Sequence, residues 1–197
     1  KDAMSLYALI NFNDHYHHKN LRESLNYYLK LAELNDLRGI VNAGLILLNG
    51  QDDQIENNPV MAAKLFKRAA DMDNLSGIYH YAMALMNGDG VEKDEADGLK
   101  LLKEAAGRNH TQSMVELGSL YECGDGVRLN ERKALELYRK AALLDNAEGM
   151  ASFASLYDRR TQRRQNKEFL LMHHIYTEEE EEEEEASGSS NTNSISK

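Results

Sequence analysis

The string Gly88-Asp89-Gly90-Val91 returns unchanged 36 positions later as Gly124-Asp125-Gly126-Val127. The same offset carries Ala105-Ala106 to Ala141-Ala142, Gly98 to Ala134, and Leu101-Leu102 to Leu137-Tyr138. A fixed period in the range of roughly 20–50 residues marks stacked supersecondary units. One such unit cannot cover its own apolar face, so neighbours must bury it, and the chain is committed to an array.

The units are helical. Apolar residues recur at i, i+4 and i+7 from the start (Ala3, Tyr7, Ile10), which places them on one helix face. Asn20, Asn58, Asp94 and Asn130 stand 38, 36 and 36 positions apart, each opening a helix as a good N-cap. The larger first spacing expects a loop two residues longer after Asn49-Gly50. Pro59 follows Asn58 at the first helical position, where its missing N–H costs nothing. These markers divide the chain into units near 3–38, 39–76, 77–112 and 113–148, then a degenerate stretch at 149–176. In that stretch Arg159 to Lys167 replace the glycine turn before a last helix at Phe169–Tyr176. Residues 177–197, eight glutamates and a Ser-rich end, cannot bury a core and are expected to be disordered.

Small residues mark close approaches. Gly44, Ala82, Gly118 and Ala154 share one position on the first helices, where a neighbouring backbone is expected. Ala105-Ala106 and Ala141-Ala142 play that part on the second helices. Gly88, Gly90, Gly124 and Gly126 shape the turns, with Val91 and Val127 tucked beneath them.

Charge narrows the function classes. The net charge of −10 comes mostly from Glu178–Glu185, leaving −3 on residues 1–176. A near-neutral body lacks the basic footprint of a nucleic-acid binder, so no nucleic-acid partner is expected. Cys123 is the only cysteine, which rules out an intrachain disulfide and is compatible with the cytosol. No apolar run approaches the roughly 18–20 residues that span a bilayer. No charged-then-apolar leader with a small-residue cleavage site stands at the start of this sequence, and since it opens on Lys1 rather than Met, targeting signals are left open.

Leu117-Gly118-x-x-Tyr121-x-x-Gly124-x-Gly126-Val127, followed by Lys133-Ala134, Leu137-Tyr138 and Lys140-Ala141-Ala142, resembles the Sel-one-like repeat (SLR) family, a relative of the tetratricopeptide repeats. The likeness covers roughly residues 3–158 and is clearest in the third and fourth units. It implies an all-α fold, a right-handed α-solenoid of about five helix-turn-helix units. Such arrays act as adaptors that assemble signalling, membrane-protein quality-control or cell-wall complexes. A cysteine-rich branch staples each repeat with a disulfide, and this chain departs from that branch.

In a solenoid of this type the first helices line the concave face. Positions three, seven and ten of each unit then give a groove of Val41, Leu45, Leu48, Tyr79, Met83, Met86, Val115, Ser119 and Glu122, continued by Ala151, Ser155 and Asp158. It grades from apolar to polar and acidic, and a Met-bearing channel suits an amphipathic helix or extended peptide. The plainer alternative is that these side chains only pack against the adjacent helix. Asn13, Asn49 and Asn87 either clamp a ligand backbone or simply end helices. His15, His17 and His18, like His173-His174, lack ligand partners at metal-site spacing, so no metal is expected.

The basic run Arg159–Lys167 reads as a phosphate or nuclear-import patch, or as a solvated helix face. Glu178–Glu185 either contacts basic proteins or only extends and solubilises the chain. No nucleophile–base–orienter set appears, and Gly-Asp-Gly-Val lacks the strand before it that a phosphate loop needs. No cofactor is implied. The expected function is a non-catalytic scaffold binding a protein partner in the groove. The alternative is a regulatory or structural repeat region of a larger enzyme, such as a kinase or hydrolase, whose catalytic part lies outside this chain.

Overall fold

The computed structural model describes residues 21–50 and 55–190, with side chains to residue 169. Expectations for Ala3–Asn20, including the His15–His18 turn and Asn13, lie outside the described residues, as do residues 191–197. The side chains of His173 and His174 lie outside them too. Seven helices of 13 residues each follow one another: α1 (Leu21–Glu33), α2 (Leu37–Asn49), α3 (Pro59–Asp71), α4 (Leu75–Asn87), α5 (Glu95–Gly107), α6 (Thr111–Cys123) and α7 (Glu131–Leu143). A 44-residue helix, α8 (Ala147–Ser190), ends the series. Among the described residues there is no strand, only an isolated bridge residue at Ile55. Nor is any helix there long and apolar enough to cross a membrane.

The equal lengths come from local signals at both ends. Asn58, Asp94 and Asn130 cap α3, α5 and α7, their side chains accepting from the N–H groups of Met61, Asp97 and Lys133 at 3.0, 3.0 and 3.1 Å. A second series of caps opens α2, α4, α6 and α8. Asp36 accepts from Arg38 and Gly39, Asn74 from Gly77, His110 from Ser113, and Asn146 from Gly149. These helices thus begin at Leu37, Leu75, Thr111 and Ala147, two residues before the expected unit starts at Gly39, Gly77, Ser113 and Gly149. The small residue is the third of its helix because that is where the helix crosses its predecessor. A Cβ at Gly39, Gly77 or Gly149 would lie 2.5, 2.4 or 2.7 Å from the Cβ of Leu31, Ala69 or Ala141.

The turns alternate in kind. After α1, α3, α5 and α7 the chain reverses through Asn35, Asp73, Asn109 and Asp145, all at positive φ (55°, 62°, 67° and 59°). Asn and Asp tolerate this left-handed region better than most residues. After α2, α4 and α6 a longer loop begins at Gly50, Gly88 and Gly124. Each loop is shut by one backbone bond to the helix it left: Asn58 N–H to Leu47 O, Asp94 to Leu85, and Asn130 to Tyr121. The first of these spans two more residues than the others, which accommodates the expected insertion.

The chain divides into two compact units, Lys1–Ser152 and Phe153–Lys197. Within the first, each helix packs on the next in sequence, from α1 on α2 through α6 on α7, as consecutive pairs of a solenoid. Its core runs through Leu21, Tyr28, Leu31, Ile40, Ile46 and Phe66. Polar links repeat between successive pairs. Arg68 donates to Ala32 O at 2.7 Å and Asn35 Oδ1 at 2.6 Å, and Arg108 grips both Asp73 oxygens at 2.7 and 2.9 Å. Asn146 donates to Thr111 Oγ1 at 3.2 Å. Arg108 also holds the Asp73 carboxyl below its ordinary range.

The second unit departs from the expected fifth pair. Instead of a turn at Arg159–Lys167 and a separate last helix, α8 runs on unbroken. No Gly or Pro interrupts that stretch, and Arg, Lys and Gln are good helix formers. From Tyr157 to Phe169 its side chains are exposed apart from a half-buried Arg160, with Arg164 paired to Glu168 at 2.8 Å. The helix extends through Glu178–Glu185 to Ser190. Glutamate's helix propensity is high, and each like-charge i,i+4 pair costs only about 0.2–0.5 kcal/mol.

Candidate protein-binding face

The first helices of the pairs, α2, α4 and α6, carry the expected groove positions, and the structure treats them unevenly. Val41, Leu45 and Leu48 are half-buried and pack against the core. Tyr79, Met83 and Met86 are also half-buried. The Met86 side chain leans onto α5, where a Cβ at Gly98 would lie 2.5 Å from its Cγ. Val115 is buried, at 5% exposure, and offers no surface. Its register position faces inward in this pair. Ser119 is exposed, and Glu122 is half-buried and accepts the Tyr138 hydroxyl at 2.9 Å. Burial first, then that carboxylate, pushes the Tyr138 phenol upward. Further on, Ala151, Ser155 and Asp158 are exposed.

The turn residues are placed differently from expectation in one respect. Gly90 presses against the start of α3, whereas Gly126 has open space above it. Val91 and Val127 are half-buried. Asn87 donates to Asp89 Oδ2 at 3.1 Å, so its amide serves the turn. At Gly44 and Gly118 it is not a backbone that comes close but the rings of Phe66 and Tyr138. Ala105, Ala106 and Ala141 are buried, Ala142 is half-buried, and Ala154 is exposed.

A second cluster surrounds Tyr79. Its ring lies 4.9 Å from that of His80 and 5.5 Å from that of His110, while His80 stacks on Phe66 at 4.9 Å. Gln112 donates to Glu148 Oε2 at 2.7 Å. Burial, then the carboxylates of Glu116 and Glu148, push the Tyr79 phenol up to about 12. Burial, then the adjacent His110, pushes His80 down to about 4, and burial lowers His110. Glu116 is raised by burial and by Glu148.

At neutral pH the cluster therefore holds His80 as a neutral imidazole and Tyr79 as a neutral phenol. General acid–base catalysis favours groups that titrate near the working pH, and these two do not. Ser113 Oγ does lie 2.9 Å from His110 Nδ1. The serine is fully buried at the helix crossing, however, and the same nitrogen accepts the Ser113 N–H at 3.3 Å. That geometry caps a helix and leaves the hydroxyl out of a substrate's reach.

Sequence reasoning named Tyr79 but missed His80, His110, Gln112, Glu116 and Glu148. One signal was available. Asp36, Asn74, His110 and Asn146 form a second cap series at 38, 36 and 36, and His110 is its exception.

The comparisons agree with this architecture. A solved protective antigen of uropathogenic Escherichia coli, displaying an SLR fold, matches with TM-score 0.64 at 24% identity, over 79% of this chain and 33% of its own. A Sel1 repeat protein from Oxalobacter formigenes matches with TM-score 0.64 at 23% identity, over 81% of this chain and 62% of its own. An immunity protein from Pseudomonas aeruginosa matches with TM-score 0.58 at 22% identity, over 79% and 56%. The chain thus spans between a third and two thirds of these structures. No curated protein matches. The Sel1 repeat model matches residues 1–36, 38–74, 75–110 and 111–146, and with most of its length so covered the chain belongs to the Sel1 repeat family.

Proposed function

We propose that this chain is a non-catalytic adaptor that holds a peptide or helix of a protein partner across the face of α2, α4 and α6. Sel1 repeats are typically protein-interaction scaffolds and generally carry no catalysis. The observation behind the reading is the grading along the face. Val41, Leu45, Leu48, Tyr79 and Met83 are half-buried apolar side chains with area left to cover. Beyond them come Ser119, Glu122, Glu116 and Glu148. An amphipathic segment with an apolar end and a basic end is complementary to that order.

The test is affinity capture with Leu45→Glu/Met83→Glu, and separately with Ser119→Arg, a change at an exposed position beside the Tyr138 hydroxyl. Circular dichroism establishes that each stays helical. Proteins held by the parent chain should be lost by both variants and kept by a chain truncated at Thr177. Retention by both groove variants would remove the site from this face. Loss on truncation alone, weakening as salt rises, would assign binding to the acidic run.

A further inference from the structure

The crevice under each Gly-Asp-Gly-Val turn is closed in one pair and open in the next. At Gly90 a Cβ would stand 2.2 Å from Pro59 C and O, so that turn sits on the start of α3. At Gly126 nothing lies within 4 Å. Below it opens a cleft of about 540 Å³ between α5, the end of α6 and the start of α7. Leu99, Tyr121 and Val127 line it together with three cations, Lys103, Arg128 and Lys133, and no carboxylate does. Lys133 Nζ lies 5.0 Å above the Tyr121 ring, which holds it at the rim. Lys103 and Arg128 have no ion-pair or hydrogen-bond partner among the described residues. Asp125, the nearest turn acid, lines the adjoining cleft with Lys93 and Glu95.

Two of the three cations belong to this turn and not to the repeat, while Lys103 has its counterpart in Lys67. At the positions of Arg128 and Lys133 the preceding turn has Glu92 and Asp97. The amide of Asn130 adds a donor, since its Oδ1 is used as the α7 cap. We propose that this cleft binds a phosphate-bearing group. A dianion answers three cations, a guanidinium fork matches phosphate oxygens in pairs, and the α7 N-terminus adds favourable partial charge. The site is on the turn end of the array, and it stands or falls independently of the groove reading.

The experiment is amide NMR on the full chain at constant ionic strength, with two probes. One is inorganic phosphate; the other is a short uncharged peptide bearing phosphoserine, beside its unphosphorylated twin. Saturable shifts at Gly126, Val127, Arg128 and Asn130 are expected, with none at Gly88–Val91. Arg128→Glu/Lys133→Asp, exposed changes that restore the preceding turn's charges, should weaken binding by roughly tenfold or more. Tighter saturation by the phosphopeptide identifies a phosphorylated protein as the source, and tighter saturation by inorganic phosphate identifies the free ion. Non-saturating shifts, an equal response to chloride or acetate, or unchanged binding by the charge-reversed variant would overturn the assignment.

Discussion

The ring of Tyr138 fills the space that a side chain at Gly118 would need: a Cβ there would stand 2.6 Å from its Cε1. The previous pair but one repeats the arrangement with Gly44 and Phe66, also at 2.6 Å. Between them, the equivalent positions hold Ala82 and Leu102, both fully buried. Where the second helix brings a ring the first has no side chain, and where it brings a leucine the first has a methyl. Gly118→Ala should therefore destabilise the chain by about 1–3 kcal/mol, since the ring must move. Combining it with Tyr138→Leu should recover part of that loss, and a double-mutant cycle in urea should show coupling of about 1 kcal/mol. Strict additivity would contradict the size match.

Two glycines should respond to alanine with opposite signs. At Gly77 a Cβ would meet the Ala69 Cβ at 2.4 Å and Ala69 backbone at 2.8 Å, so Gly77→Ala should cost about 1–3 kcal/mol. At Gly107, on α5, nothing lies within 4 Å, so Gly107→Ala should stabilise by about 0.4–1 kcal/mol. Thermal melts of the two variants decide it.

Asn109 turns the chain from α5 to α6 at φ 67°. Asn109→Ala should cost about 1–2 kcal/mol from the left-handed backbone alone. Asn109→Gly should be nearly neutral. Equal losses in both would point to a side-chain contact instead.

Stability should fall on mild acidification. His80 is held down to about 4 by burial and His110, against an ordinary 6.5. Above 6.5 both folded and unfolded chains are neutral there and nothing is lost. As pH falls from 6.5 towards 4, the unfolded chain takes up a proton that the folded chain refuses, with an upper bound of about 3 kcal/mol. His110 acts in the same direction. Glu116, raised by burial and Glu148, acts oppositely, because the folded chain accepts its proton first. Urea midpoints across this range should show the slope, and His80→Gln should flatten it. An unchanged slope in that variant would exclude His80 as its source.

The helices themselves were legible. Asn58, Asp94 and Asn130 announce them because a cap depends on residues three places apart, and the Gly-Asp-Gly turn depends on four. The missed cap series was equally local, but Asp36, Asn74, His110 and Asn146 do not look alike until His110 is allowed among them. Less legible was the break in the pattern. The basic run was read as replacing a turn, but arginines and glutamines lacking a Gly or Pro only prolong a helix.

Period, caps and turn types were the sequence's own doing, because each is settled within a few residues by backbone sterics and hydrogen bonds. Surroundings were settled elsewhere. Tyr79, Glu116 and Glu148 come from three different helices, and their mutual influence exists only once those helices are stacked. Val115 shares its repeat position with Tyr79, yet it is sealed in while Tyr79 keeps an open edge. The same Gly-Asp-Gly-Val string is pressed shut at Gly90 and stands clear at Gly126. Identical local chemistry meets different neighbours, and only packing between distant segments chooses them.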